Sequence, residues 1–345
     1  MSSNKAVEEL DENLLASYLS QHIAGFSGPV KATKFAGGQS NPTFKLETPD
    51  QVYVLRRQPP GKLLKSAHAV DREYKVLAAL EHSDVPVAKV YHLCEDAELI
   101  GSMFYVMEYV EGRVFWNSAL PEIAEKTERA QFYQQMVEVM AALHSVDIEK
   151  VGLSEYGRPG NYYERQFSRW SKQYVLSETR VITEMNELIS WLEKHLPEDD
   201  GRVSLVHGDY RMDNLMFHPS KPQILAVLDW ELSTLGHPFA DLAYQCMQLR
   251  LPDNVGKATG LGDANRAALG IPEESEYVAS YCQLMGIDKI DNWNFYLAFS
   301  FFRLAAIAQG VAKRAEDGNA SNKEAMKVGA IVQPLAQYAL KLIHQ

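Results

Sequence analysis

The stretch Leu205–Phe217, LVHGDYRMDNLMF, decides how this chain is read. Its ends are apolar and predict two short buried strands. Between them stand His207, Asp209, Arg211, Asp213 and Asn214. A bare turn needs no more than Asn-Gly or Asp-Gly, so a polar loop anchored on both sides asks for another purpose. Asp209 and Asn214 are five positions apart, and Asp229, twenty positions after Asp209, ends the apolar run ILAVLD. A hairpin returning from NLMF to ILAVLD would bring Asn214 and Asp229 together. Two hard oxygen ligands suit Mg²⁺, which binds few protein groups and keeps the rest of its shell for phosphate and water. An aspartate held out on the loop would orient a hydroxyl and accept its proton. Charge neutralisation at the phosphates and a positioned base are what phosphoryl transfer requires.

The rest of the chain narrows the class. Its 345 residues are 46% hydrophobic, enough for one large domain or two smaller ones. A formal net charge of -11 disfavours broad contact with a phosphate backbone, so no nucleic-acid partner is expected. Cys94, Cys246 and Cys282 are far apart and lack CxxC spacing, which predicts buried free thiols in a reducing, cytoplasmic setting. The start, MSSNKAVEELDENLL, is polar and acidic and has no apolar signal core. The apolar segment FYLAFSFFRLAAIAQGVAKRA is interrupted by Arg303 and Gln309. It reads as a buried helix, and no membrane partner is expected.

Along the chain, DENLLASYLSQHI has helical spacing. The next hundred residues then read strand, strand, strand, helix, strand, strand. Such a run predicts a small antiparallel sheet carrying one helix. After Gly112 the pattern becomes helical, broken only by the opening loop and the strand QILAVLDW. The expected division is a β-rich lobe over residues 1–109 and a larger, mainly helical lobe over 110–345.

These motifs, in this order, resemble the kinase-like superfamily, and specifically the aminoglycoside phosphotransferase type, in which HGD stands where protein kinases have HRD. The resemblance implies an α+β, protein-kinase-like two-lobed fold and an enzyme using ATP and Mg²⁺. It makes Asp209 the catalytic base and Asn214 and Asp229 the metal ligands, with His207 packing the loop and Asp213 stabilising it. GGQSN would place backbone amides of Gly38 and Asn41, with Ser40, over the phosphates. In YVLRR the expected strand lysine is Arg56, which keeps the charge but presents a planar fork. Glu73, in DREYKVL, fits its helix partner. FYVMEYVEG resembles the hinge: Met107 would pack on the adenine, and the Glu108 carbonyl and Val110 amide would bond its edge. Only twelve positions separate Asp229 from Asp241, too few for a polypeptide-docking segment. Asp241 resembles the helix carboxylate that ties the loop from below, and a small-molecule hydroxyl is the expected acceptor.

The acceptor itself is read from charge. Aminoglycosides are polycations and need a strongly acidic site, which the region after Asp229 does not provide. Arg303 lies mid-way along the most apolar helix, where an unpaired charge is expensive. It is expected either to pair with Asp241 or Glu231 or to receive an anionic substrate group. Arg165 and Arg169 lie one helical turn apart beside Trp170. Arg165, Arg169, Glu231 and Arg303 are therefore the candidate acceptor residues. ERQFSRWSKQY and LDWELSTLGHPFADLAY, with the motifs above, look most like the kinase-like domains related to those fused to acyl-CoA dehydrogenases, which implies a hydroxyacyl-CoA thioester of the 4-hydroxyacyl type. An aminoglycoside or other small alcohol is the alternative acceptor. A non-catalytic nucleotide-binding pseudokinase is the alternative of another class, and the intact Asp209, Asn214 and Asp229 count against it.

Overall fold

Five strands, β1 (Lys31–Lys34), β2 (Thr43–Glu47), β3 (Val52–Arg57), β4 (Val90–Cys94) and β5 (Phe104–Glu108), form one antiparallel sheet in the order β1-β2-β3-β5-β4. This is seen in a computed structural model that describes residues 10–35, 41–59, 68–252, 259–317 and 328–344. Alternate residues of β2, Phe44 and Leu46, are buried, as a half-covered strand requires. They share a core with Leu55, Phe104 and Val106 and with Leu15 and Leu19 of α1 (Glu12–His22). Asp11 starts that helix by accepting the Asn13 and Leu14 amides at 3.1 and 3.0 Å.

Helix α2 (Val70–Leu80) buries Val70, Glu73, Val76, Leu77 and Leu80, a stripe at helical spacing. Glu73 is the charged member of the stripe and needs a partner, because a lone buried carboxylate is costly. The polar connection between β4 and β5 contains a single turn, α3 (Ala97–Ile100). Asp96 caps it, and Gly101 ends it at φ 82°.

The described chain groups into two units. The sheet belongs to Met1–Arg113, which also takes in Val151–Leu153 and Met216–Leu232. Val114–Lys150, Ser154–Leu215 and Ser233–Gln345 form the second unit. This second unit contains α4 (Lys126–His144), α5 (Tyr162–Ser177), α6 (Thr183–Lys194) and the short strand β6 (Ser204–Val206). The next strands, β7 (Leu215–Phe217) and β8 (Ile224–Val227), pair with each other, the hairpin expected from NLMF and ILAVLD. Phe217 also exchanges two backbone bonds of 2.8 Å with Arg113. A Cβ on Gly112 would lie 2.5 Å from the Phe217 carbonyl oxygen, so this close approach depends on glycine.

β6 pairs antiparallel with β9 (Thr234–Gly236), not with β7, so the two apolar ends of the opening stretch belong to different strand pairs. Helices α7 (Phe239–Arg250), α8 (Arg266–Leu269), α9 (Glu274–Met285), α10 (Trp293–Glu316) and α11 (Val332–Ile343) complete the unit. α10 is long and apolar enough to cross a membrane, yet it is buried on nearly every side from Phe295 to Ala312. It packs on α5, α6, α7 and α11 as a core helix.

Candidate active site

The loop after β6 is fixed by a buried carboxylate. Asp241, in the first turn of α7, is fully buried and accepts the backbone amides of His207 at 2.6 Å and Gly208 at 2.8 Å. Its Oδ2 also lies 3.3 Å from His144 Nε2, and His144 Nδ1 lies 2.7 Å from the Tyr281 hydroxyl. Burial alone would raise the Asp241 carboxyl. Hydrogen bonding and charge from His144, with His207 and the Gly208 amide, instead hold it below the ordinary carboxylate value. His207 is itself buried, and its Nδ1 accepts the Asp209 amide at 3.2 Å. The loop therefore has its backbone bonded from beneath and Asp209 held at its turn.

Asn214 donates its side-chain amide to both the carbonyl oxygen and Oδ2 of Asp209, each at 2.9 Å. With the nitrogen occupied, Oδ1 is the atom left to meet a hard cation. Burial raises the Asp209 carboxyl above the usual carboxylate range, against the pull of Arg211, the Tyr244 hydroxyl, His207 and Arg303. A carboxylate raised in this way is a stronger proton acceptor. Arg211 is tied through Nε to Asp213, so Asp213 clamps the loop.

The sheet unit holds a second constellation. Arg56 Nη2 donates to Asp229 Oδ1 at 2.6 Å. Its Nε lies 2.8 Å from Glu73 Oε2, an ion pair by distance although the N–H direction is off the line of a hydrogen bond. Glu73 also accepts the Asn41 amide at 2.7 Å and the Tyr105 hydroxyl at 3.2 Å. Tyr105 stands directly opposite Arg56 in the β3–β5 register, which explains how it reaches the same carboxylate. Burial raises the Glu73 carboxyl, with Arg56 opposing. Burial would lower the Arg56 pKa, but Glu73, Tyr105 and Asp229 outweigh it and keep the guanidinium charged. Asp229 takes φ 63°, an uncommon conformation for a residue other than glycine and one that clusters at functional sites.

Arg303 is 8% exposed and, among the described residues, makes no ion pair. The expected bond to Asp241 or Glu231 is not formed: Asp241 is already occupied by two amides and His144. The guanidinium lies instead over the rings of Tyr244 and Trp170, 5.4 and 5.8 Å from their centroids. Burial raises the Tyr162 hydroxyl's pKa, with Arg303 opposing, Asp241 adding to the rise, and Arg165 and Arg169 pulling it down. Arg165 spends its fork on the Arg158 and Pro159 carbonyls at 2.6 and 3.4 Å, and exposed Arg169 lies over Trp170.

Met107 and Glu108 end β5, and the Glu108 amide bonds the Lys89 carbonyl at 2.8 Å. Val110 follows, half-buried. Glu231 is exposed in the short turn Trp230–Leu232 of the first unit, whereas the three arginines belong to the second. Gly38 and Ser40 lie outside the described residues. Asn41, expected over the phosphates, is 1% exposed and its side chain is engaged by Glu73 and His68, so only its backbone remains for that role. Sequence reasoning missed Tyr105 and Tyr244. Tyr244 has a usable signal, since it follows Asp241 by three positions and so shares its helix face.

Residues 31–275 match the phosphotransferase enzyme family. A crystal structure of a Ralstonia eutropha JMP134 protein, provisionally described as an aminoglycoside phosphotransferase, aligns with a TM-score of 0.88 and 49% identity, covering 97% of this chain and 98% of that one. A thermostable mutant of aminoglycoside phosphotransferase APH(4)-Ia, in ternary complex with AMP-PNP and hygromycin B, aligns with a TM-score of 0.60 over 95% of this chain and 98% of that one. At 16% identity that likeness is one of fold. Acyl-CoA dehydrogenase family member 10 of Mus musculus is 46% identical over 331 residues, 96% of this chain but 31% of that protein. The chain thus spans under a third of that relative's length. It carries the two-lobed kinase-like α+β fold, and it belongs to the phosphotransferase enzyme family, with the aminoglycoside phosphotransferase type as its structural kin.

Proposed function

We propose that the protein transfers the γ-phosphoryl group of ATP to a hydroxyl of an anionic small molecule, a hydroxyacyl thioester of the 4-hydroxyacyl-CoA type, with Mg²⁺. The observation that supports the acceptor class is Arg303, a buried guanidinium that makes no ion pair among the described residues and lies over the Tyr244 ring. A buried cation with no direct ion pair favours an anionic visitor, because an incoming phosphate or carboxylate can bond it in place of water. The name of the longer murine relative, an acyl-CoA dehydrogenase family member, supports the thioester. AMP-PNP in the fold relative supports an adenine nucleotide.

In this reading Asp209 accepts the acceptor's hydroxyl proton as the oxygen bonds to the γ-phosphorus and the bond to the bridging oxygen of ADP breaks. Asn214, through Oδ1, and Asp229 would hold the ion, whose chemistry when bound is to offset charge on the phosphates. Their all-oxygen donors fit Mg²⁺, which draws on few protein groups. Arg56, braced by Glu73, holds the phosphates, and the Met107–Val110 segment receives the adenine.

Two outcomes follow. Arg56→Lys raises the nucleotide KM by about tenfold, since one ammonium cannot replace a fork shared between Glu73 and Asp229; initial rates at varied ATP measure it. Arg303→Lys raises the acceptor KM by about tenfold while the melting temperature holds, because recognition and not an internal ion pair is lost. The deciding experiment is single-turnover phosphate transfer, with Mg²⁺-ATP, to a 4-hydroxyacyl-CoA and to kanamycin side by side. Transfer to the thioester alone is expected. Transfer to kanamycin alone overturns the acceptor.

A further inference from the structure

The Glu73 carboxylate is gripped on both oxygens. Oε1 accepts the Asn41 side-chain amide at 2.7 Å. Oε2 lies 2.8 Å from Arg56 Nε and accepts the Tyr105 hydroxyl at 3.2 Å. Glu73, Asn41 and Tyr105 are all buried. Each neutral donor is itself fixed. Asn41 Oδ1 lies 3.0 Å from His68 Nδ1. An ionised carboxylate only accepts, so the Asn41 nitrogen must face Glu73 and its oxygen must face His68, whose Nδ1 then carries the proton. Tyr105 is fixed by register. It stands opposite Arg56 in the β3–β5 pairing, as Met107 stands opposite Val54. Directly opposed residues share a face, and so do residues two apart on one strand. Arg56, Tyr105, Val54 and Met107 therefore form one strip of the sheet, while Phe104 and Val106 enter the core on the other face.

A phenylalanine at 105 would bury the same ring. What the hydroxyl adds is a donor on Oε2, the oxygen that Arg56 also meets. A glutamate side chain is flexible, and one ion pair off the line of a hydrogen bond does not hold it in a single place. Donors on both oxygens do. They also keep it charged: burial raises the Glu73 carboxyl, while Arg56, Tyr105 and Asn41 oppose that rise. The guanidinium is thus referred to a carboxylate whose position and charge are set from α2, from β5 and from the residue that follows the Gly-rich turn.

We propose that Tyr105 and Asn41 are positioning residues for the nucleotide phosphates: they fix the Glu73 carboxylate on both oxygens and, through it, the Arg56 guanidinium. The proposal rests on the reading above in which Arg56 holds the phosphates.

The test needs no acceptor. Dissociation constants for AMP-PNP with Mg²⁺, and for adenosine, are measured by ligand-observed NMR on the full chain. The variants are Tyr105→Phe, which keeps the ring and its packing, Asn41→Ala, Arg56→Lys, and Tyr105→Phe combined with Arg56→Lys. Tyr105→Phe and Asn41→Ala are each expected to weaken AMP-PNP by about fivefold, the loss of a hydrogen bond to a charged group. Adenosine, which has no phosphate, should bind each within about twofold of the parent. Arg56→Lys should weaken AMP-PNP by about tenfold. Adding Tyr105→Phe to it should change the constant by less than about twofold, because the hydroxyl acts through Arg56. Losses that multiply in the double variant, or an equal loss for adenosine, would show that Tyr105 supports the sheet as a whole, and overturn the proposal. Parental AMP-PNP affinity in Tyr105→Phe or in Asn41→Ala overturns it too. The two readings fail separately. Arg56→Lys at parental affinity removes Arg56 from the phosphates and the proposal with it, whereas a weakened Arg56→Lys beside an unaffected Tyr105→Phe removes the proposal alone.

Discussion

Asp209→Asn lowers turnover by about two to four orders of magnitude, the usual worth of a general base, without lowering the melting temperature at neutral pH. The two halves of this result have one cause. Burial raises the Asp209 carboxyl, so its ionised form, the one that accepts a proton, is held at some cost to the fold. A carboxyl whose folded pKa exceeds its unfolded value contributes stability below the unfolded pKa and loses it as pH rises through the folded one. At neutral pH the charge is therefore a net expense that the neutral amide removes. The substituted residue still offers an oxygen to the Asn214 amide, so the loop keeps its geometry. The acid limb of the pH–rate profile should accordingly lie above the ordinary carboxylate range. Turnover within about a factor of two of the parent would remove Asp209 from the role of base. A drop in melting temperature would show that the residue supports the fold instead.

Much of this arrangement was legible in the sequence because it is local. The α2 stripe puts Glu73 on the buried face by spacing alone, and the two apolar runs after Asn214 announce the β7–β8 hairpin. Where partners come from far along the chain, spacing says nothing. β6 pairs with β9 rather than with its apolar neighbour, a choice set by tertiary packing. For Arg303 the sequence left two expectations open, a carboxylate partner in Asp241 or Glu231 or an anionic substrate group. Nothing in the order of residues shows that Asp241 is already saturated by two amides and His144, which leaves aromatic faces for the guanidinium. Asn41 is similar: its place in a Gly-rich turn suggested phosphate, while its side chain lies 2.7 Å from Glu73, thirty-two positions away.

Asp241→Asn should cost roughly 2–4 kcal/mol of unfolding free energy at neutral pH, the range for breaking a fully buried, hydrogen-bonded charge. Asp241 receives donors on both oxygens, the His207 amide on Oδ2 and the Gly208 amide on Oδ1. An asparagine offers one oxygen, and its NH₂ would face the other amide donor, so one buried N–H is left opposed rather than merely unpaired. The pH dependence has a definite sign. The Asp241 carboxyl is depressed in the folded chain, so its contribution is complete above the unfolded pKa and is lost as pH falls through the folded value. The gap between parent and variant, followed by denaturant unfolding, should be widest at neutral pH and close only below the ordinary carboxylate range. Asp241 touches the loop and not the reacting atoms, so it is a positioning residue. Hydrogen exchange at the His207 and Gly208 amides should accelerate, and kcat should fall while the nucleotide KM stays constant, because Asp209 loses its support and the Arg56 constellation belongs to the other unit. A variant as stable as the parent, with those two amides still protected, would mean that the loop is held by something other than this carboxylate.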